Sequence, residues 1–249
     1  MVLQNRMLQD RATSIDALLD GRVKFEQPVQ GYRTGIDPVL LAAAVPAQKN
    51  MHALELGLGA GAASLCLLAR VAGLNVTGIE RDPHFANLAR RNAALNGMED
   101  RLIVIEGEVG GKFNFGPFDH VFTNPPWHDT ERHDKGAAAS HMPEQELLIW
   151  LTYAFRQLKD RGTFTLIHRA DMLDAILAAL SAQNAGAVKI LPIASRAGEP
   201  AKRVIITAVK TRKTPLEILW PLVIHKDDGS YEDKCRAILK GTQTLQMKD

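Results

Sequence analysis

MHALELGLGAGAASLCLLAR, residues 51–70, decides how the rest of the chain is read. Its first six residues form a short apolar run, residues 51–56, with the rhythm of a buried strand. Gly57-Leu58-Gly59-Ala60-Gly61 follows, and then a stretch from Gly61 to Ala72 with the composition of a helix. Glycines allow the backbone to turn sharply and allow a ligand to approach where a Cβ would collide. A strand, a glycine turn and a helix in that order form the opening unit of a parallel sheet covered by helices. The same loop is also compatible with a plain tight turn that holds no ligand.

Outward from this unit the alternation continues. LNVTGIE (74–80) is a second strand, and a helix with Pro83 in its first turn ends at Asn96-Gly97, a good C-terminal stop. RLIVIEG (101–107) and FDHVFTN (118–124) are further strands. EQELLIWLTYAFRQLKD places Leu147, Leu148, Leu151, Ala154, Phe155 and Leu158 on one helical stripe, ahead of a strand at 162–168 and a helix at 170–180. AVKILPIA (187–194) and RVIITAVK (203–210) are joined by a short polar loop, which predicts an antiparallel pair. The expected fold is therefore α/β, a Rossmann-like, mainly parallel sheet with an antiparallel C-terminal hairpin. Residues 1–50 read as an N-terminal, lid-like extension, helix-like at first, with Asp37 as N-cap and Pro38 in the first turn of a later helix. The central domain is expected over 51–215, with 216–249 as a C-terminal extension packing on it.

The composition suits a globular chain with a sizeable core: 249 residues, 46% hydrophobic and 23% charged, with a net charge of +2. The two cysteines, Cys66 and Cys235, form no CxxC and support neither a disulfide framework nor a cysteine zinc site. A reducing, cytoplasmic setting is expected. No run approaches the ~20 apolar residues that a bilayer span needs. The histidines His52, His168 and His225 stand alone in sequence, and no His/Asp/Cys spacing suggests a metal.

Acidic residues punctuate the strand ends. Glu55 precedes the glycine loop, where it can meet an amine. Glu80 closes the second strand, where a carboxylate can accept hydrogen bonds from both hydroxyls of a ribose. Glu106 and Glu108 follow the third strand, close to where a base would lie, although Glu106 is equally readable as a solvated strand end. The loop has the spacing G-x-G-x-G, not the G-x-G-x-x-G of dinucleotide binders. With the preceding acid it resembles the S-adenosylmethionine loop of class I methyltransferases.

Thr123-Asn124-Pro125-Pro126-Trp127-His128-Asp129 leaves the fourth strand at the same edge of the sheet. Each proline fixes its own φ and lacks an N–H, so the segment is held away from helix. An Asn-Pro turn with Trp127 packed in the core is the plainer reading. The chemical one is that the Asn124 carboxamide oxygen and a proline carbonyl each accept one N–H of an exocyclic amine, directing its lone pair at a methyl donor, while Trp127 stacks on the base.

These residues resemble the amino-group methyltransferases that carry an Asn/Asp-Pro-Pro-aromatic motif, over residues 51–210. Gln30-Gly31-Tyr32-Arg33, Thr34-Gly35-Ile36-Asp37, VLLAAA, HRAD (168–171) and AKRVIITAVK (201–210) are similar to bacterial tRNA adenine-N6 methyltransferases acting on valine tRNA beside the anticodon. The resemblance implies S-adenosylmethionine as cofactor, bordered by Thr34, Asp37, Glu55, Gly57, Gly59, Gly61, Glu80, Arg81, Glu108 and Asn124. It implies Asn124, Pro125, Pro126 and Trp127 as the catalytic motif, and the N6 amine of an adenine in RNA, most naturally tRNA, as acceptor. In that family the N-terminal segment covers the cofactor. For Asp37 a plain helix cap is an equal alternative.

His128-Asp129 is similar to ribosomal RNA guanine-N2 methyltransferases, which usually carry a duplicated domain that 249 residues cannot hold. Protein-glutamine N5 methyltransferases share the motif as well, and a non-catalytic RNA-binding module on the same fold is the rival from another class. For RNA contact the candidates are Arg132 and Lys135 after the motif, and Arg196, Lys202 and Arg203 in the polar loop, with Lys210, Arg212 and Lys213 expected on the same rim. A solvated face is the alternative for either cluster.

Overall fold

A computed structural model describes residues 12–31, 33–111, 114–126 and 144–247. Tyr32, Trp127, His128, Asp129, Arg132 and Lys135 lie outside the described residues.

The chain opens with strands β1 (Thr13–Leu18) and β2 (Val23–Pro28), followed by helix α1 (Asp37–Ala44). The alternating core follows as β3 (His52–Leu56), α2 (Ala62–Arg70), β4 (Asn75–Glu80), α3 (Pro83–Leu95), β5 (Leu102–Glu106) and β6 (Phe118–Thr123). Then come α4 (Glu144–Gln157), β7 (Leu158–Arg169), α5 (Leu173–Ala182), β8 (Ala185–Ala194) and β9 (Arg203–Lys210). Two short strands, β10 (Glu217–Ile218) and β11 (Leu222–Val223), and helix α6 (Asp233–Leu239) complete it.

One sheet runs in the order β10-β8-β9-β7-β6-β3-β4-β5, with β11 also on β8. β3, β4, β5, β6 and β7 are parallel, whereas β9 is antiparallel to both β7 and β8. After β3 the chain moves outward through β4 and β5, then returns to add β6 on the other side of β3. That reversal opens a crevice beyond the carboxyl ends of β3 and β6, the usual ligand position in open α/β sheets. Apolar side chains cover both faces. Leu40, Leu41 and Leu65 of α1 and α2 pack with Phe122, Ile167 and Ile205 on one face, and Leu147, Leu151 and Phe155 of α4 pack with Leu54, Phe164 and Leu166 on the other.

The expectation of helix-like residues at the N-terminus is corrected, because residues 13–28 form an antiparallel hairpin closed at Leu18↔Val23. Leu19, Asp20 and Gly21 all take positive φ, and Asp-Gly is a strong hairpin signal. Val23, Phe25 and Gln27 are buried while Lys24 is exposed, a period of two. Ile36, not Asp37, is the N-cap of α1, and Asp37 lies inside the first turn with its carboxylate turned to Arg203. Leu148, expected on the buried stripe of α4, is 45% exposed, and Trp150 fills the core instead. Residues beyond 215 extend the sheet edge and join the α1-side core through Leu222, Ile224 and Ile238.

Candidate active site

The glycine loop leaves β3 with positive φ at Gly57, Gly59 and Gly61. The three glycines answer different demands. A Cβ on Gly57 would lie 2.7 Å from the Trp150 ring, so this position is fixed by packing. A Cβ on Gly59 would meet none of the described residues within 4 Å, so among them the loop borders open space where a ligand can approach the backbone. Gly61 caps α2.

The loop's polar groups are held from below. The amides of Gly57 and Leu58 donate to the Ile79 carbonyl at 3.0 and 2.9 Å. Gly59 N–H donates to Glu80 Oε2 at 2.7 Å, while Glu80 Oε1 accepts Asp82 N–H at 2.8 Å. Glu80 therefore pins two turns, and a carboxylate with about four acceptor positions keeps about two for a ligand. Asn92, fully buried on α3, donates to the Ala60 carbonyl at 3.0 Å.

Glu55 lies under the start of α2, 3% exposed, where one oxygen accepts both the Ser64 amide at 3.1 Å and the Ser64 hydroxyl. Burial pushes its carboxyl up to about 8; the Ser64 bonds oppose this and the nearby Glu80 charge adds to it.

Asn124 follows directly on β6, whose Thr123 pairs in register with Leu56 and donates its hydroxyl to the Leu56 carbonyl at 2.8 Å. That bond fixes the motif beside the glycine loop. Asn124 Oδ1 is buried and accepts no hydrogen bond from the described residues, while Pro125 is buried and Pro126 exposed. A buried acceptor left open costs about 1–3 kcal/mol, so a donor brought by a ligand has a place to go.

The other expected residues are more scattered. Arg81 and Glu108 are exposed, and Glu106 is ion-paired with Arg90 at 2.7 Å. Thr34 donates its amide to Gln27 Oε1 at 2.8 Å. Asp37 is buried and ion-paired with Arg203; burial raises its carboxyl and Arg203 opposes that rise. Arg196 lies 3.7 Å from Glu199, and Lys202 is exposed. Arg203 pairs in register with Arg169, at the carboxyl edge. Lys210, by contrast, pairs with Ala185 and donates to the Leu158 carbonyl at 2.7 Å, at the opposite edge. The single basic rim expected from sequence is thus corrected. An antiparallel β9 carries its two ends to opposite edges of the sheet.

Sequence reasoning missed Asn92, Ser64 and Trp150. For Asn92 the visible signal was its spacing, four residues before Asn96 at the helix end, in the Ala/Leu/Arg-rich second half of α3. Among the described residues no group of three His, Cys, Asp or Glu is arranged to hold a metal, and no helix is long and apolar enough to cross a membrane.

Residues 34–178 match a family model described as the methyltransferase small domain. A tRNA1(Val) (adenine(37)-N6)-methyltransferase of Aeromonas hydrophila is 29% identical over 206 residues, covering 81% of this chain and 86% of that protein. One of the same name from Bacteroides thetaiotaomicron is 26% identical over 214 residues, covering 82% and 89%. The crystal structure of a predicted O-methyltransferase from Agrobacterium tumefaciens is similar with a TM-score of 0.72 at 27% identity, over 84% of this chain and 98% of that one. A Thermus thermophilus 16S rRNA N2 G1207 methyltransferase, solved with AdoMet and guanosine, shares the fold with a TM-score of 0.58 at 19% identity, over 80% of this chain and 50% of that one. The family match takes in the glycine loop, Glu80 and the Asn-Pro-Pro segment over more than half of the chain, and the chain belongs to the methyltransferase small domain family.

Proposed function

We propose that this methyltransferase moves the methyl group of S-adenosylmethionine to the N6 amine of an adenine in tRNA. The observation that carries the reading is Asn124 Oδ1, a buried acceptor without a donor among the described residues, fixed beside the glycine loop. The curated relatives' name supports the same acceptor class.

The cofactor supplies an electrophilic methyl on a sulfonium. Glu80 takes its ribose hydroxyls with the acceptor positions left over from Gly59 and Asp82, and Gly59 lets the nucleoside lie against the backbone. Glu55, neutral when empty, gains its charge when an ammonium arrives. Gly57 and Gly61 shape the loop, Arg81 and Glu108 border the base, and Thr34 and Asp37 lie on the N-terminal segment covering this side.

At the other side Asn124 Oδ1 and the Pro125 carbonyl each accept one N–H of the target amine. This draws the nitrogen lone pair out of conjugation and towards the methyl. Pro126 stiffens the turn, and Trp127 stacks on the flipped base. No general base is required before transfer, because the proton becomes acidic only once nitrogen carries the methyl. Arg132, Lys135, Arg196 and Lys202 meet RNA phosphates. Arg203, held by Asp37, serves the rim by fixing α1 to β9. Such a partner places the work in the cytoplasm.

An alcohol acceptor, suggested by the name of the Agrobacterium tumefaciens O-methyltransferase, offers one hydrogen to two acceptors and fits less well. The experiment is methyl transfer from labelled cofactor to tRNA carrying adenine or inosine at the modified position. N6-methyladenosine should form, and the inosine RNA, which lacks the amine, should stay inert. Product on inosine, on N2 of guanine or on a glutamine amide overturns the assignment. Cofactor binding by calorimetry without any turnover promotes the non-catalytic module.

A further inference from the structure

Asn92, buried on α3, and Asn96, the half-buried C-cap that follows it, both reach beyond their helix to β2. Asn92 Oδ1 accepts Glu26 N–H at 2.6 Å, and its Nδ2 donates to the Glu26 carbonyl at 2.8 Å and to the Ala60 carbonyl at 3.0 Å. One turn later Asn96 Oδ1 accepts Lys24 N–H at 2.9 Å, and its Nδ2 donates to the Lys24 carbonyl at 2.7 Å. Each carboxamide thus imitates a strand residue, giving and taking one bond with the free side of β2. The match is geometric. Residues i and i+4 of a helix are separated by about 6 Å of rise, and residues i and i+2 of a strand by about 6.7 Å. Arg91 adds an ion pair to Glu26 at 3.0 Å on the same side.

Each has a third partner, but the two differ: Asn96 Nδ2 donates back to the Asn92 carbonyl of its own helix at 2.7 Å, whereas the third partner of Asn92 is the Ala60 carbonyl of the glycine loop. From Ala60 the path runs through Asn92 to Glu26, then to its neighbour Gln27, which accepts Thr34 N–H at 2.8 Å and donates to Asp16. Arg33 closes the same knot on Asp16 at 2.6 Å. The segment before α1 is therefore tied to the glycine loop through two buried side chains, Gln27 and Asn92, and Asn92 makes the bond to the loop.

We infer that Asn92 is a positioning residue that couples the glycine loop to the N-terminal hairpin, so that binding the cofactor and ordering the hairpin with its Thr34–Asp37 segment strengthen one another. Coupling of this kind is reciprocal by linkage. The inference rests on the cofactor reading given above and extends it to a part of the chain outside the glycine loop.

Two measurements on the full-length protein test it. In the wild type, saturating S-adenosylhomocysteine should slow amide exchange of Glu26 about fivefold or more, a size set by ordinary coupling energies, and slow it more than that of Lys24. In variants, Asn92→Ala should raise the dissociation constant and KM for S-adenosylmethionine by about tenfold with kcat retained, the effect of one lost buried hydrogen bond. Asn96→Ala loosens the same hairpin without touching the loop, and should leave the cofactor constant within about twofold. Equal shifts for both variants would mean that hairpin stability alone is being read, and would overturn the coupling. If Asn92→Ala does not fold, the wild-type exchange decides alone, and an unchanged Glu26 amide overturns it. Wild-type protein that binds neither ligand overturns the cofactor reading itself, which is a different failure.

Discussion

The two sides of the crevice are finished to different degrees. Around the glycine loop the amides of Gly57, Leu58, Gly59 and Gly61 and the carbonyl of Ala60 all have partners within the protein. Across from it, Asn124 Oδ1 has none among the described residues, although it is just as firmly placed by the Thr123 bond to Leu56. The difference separates shape from chemistry. The first region is a preformed cradle whose backbone hydrogen bonds are already made, and the second keeps a buried acceptor open among the described residues; on the proposed reading the target amine fills it, in a bond that can strengthen as the transition state forms.

Asn124→Ala strikes that difference hardest. Methyl transfer should fall by roughly two to four orders of magnitude, because an acceptor on the reacting amine acts chiefly in the transition state. The melting point and the cofactor constant should stay near wild type, since the oxygen makes no bond with the described residues. Near-normal turnover would erase the distinction between the two sides.

The same contrast recurs on the rim between neighbours. Arg203 is ion-paired with Asp37, whereas Lys202 is exposed. Arg203→Ala should cost on the order of 2 kcal/mol in urea unfolding, somewhat less than a fully buried pair because Asp37 can take up a proton. Lys202→Ala should leave unfolding unchanged and lower the salt dependence of RNA binding by roughly one contact. An unaltered salt slope for Lys202→Ala would mark it as merely solvated.

Glu55 gives the smallest and most conditional effect. Its folded pKa, about 8, is raised above the ordinary 4.5 by burial, so the folded state holds the proton more tightly than the unfolded chain. That stability is complete below pH 4.5 and is lost as the pH rises through 8. Glu55→Gln should flatten the decline between pH 5 and pH 8, by on the order of 1 kcal/mol after relaxation of the surroundings. Parallel curves for the two proteins would show that burial does not raise this carboxyl in the folded state.

Much of this was legible because it is local. The strands around the glycine loop and the antiparallel β8–β9 pair follow from short apolar runs and turn residues. The hairpin β1–β2 was not, because its outward positions carry polar residues at a density that also suits a helix, and Asp20-Gly21 was the one overlooked sign. The Arg203–Asp37 pair, 166 residues apart, and the reach of Asn92 to Glu26 and Ala60 depend on how distant elements meet, which periodicity does not encode. Clustering of basic residues in sequence misled for a related reason, since Arg203 and Lys210 are the two ends of one strand.

The core on the α1 face joins Leu19, Val23 and Phe25 to Ile238 and Leu245, and Leu245 donates its amide to the Ala43 carbonyl at 2.9 Å. A ribosome making this chain delivers Ala43 long before Leu245, by on the order of 10–40 s at usual elongation rates. Throughout that interval α1 lacks part of its final cover, so the apolar side that will meet Ile238 and Leu245 stays open to aggregation or proteolysis until α6 and Leu245 emerge.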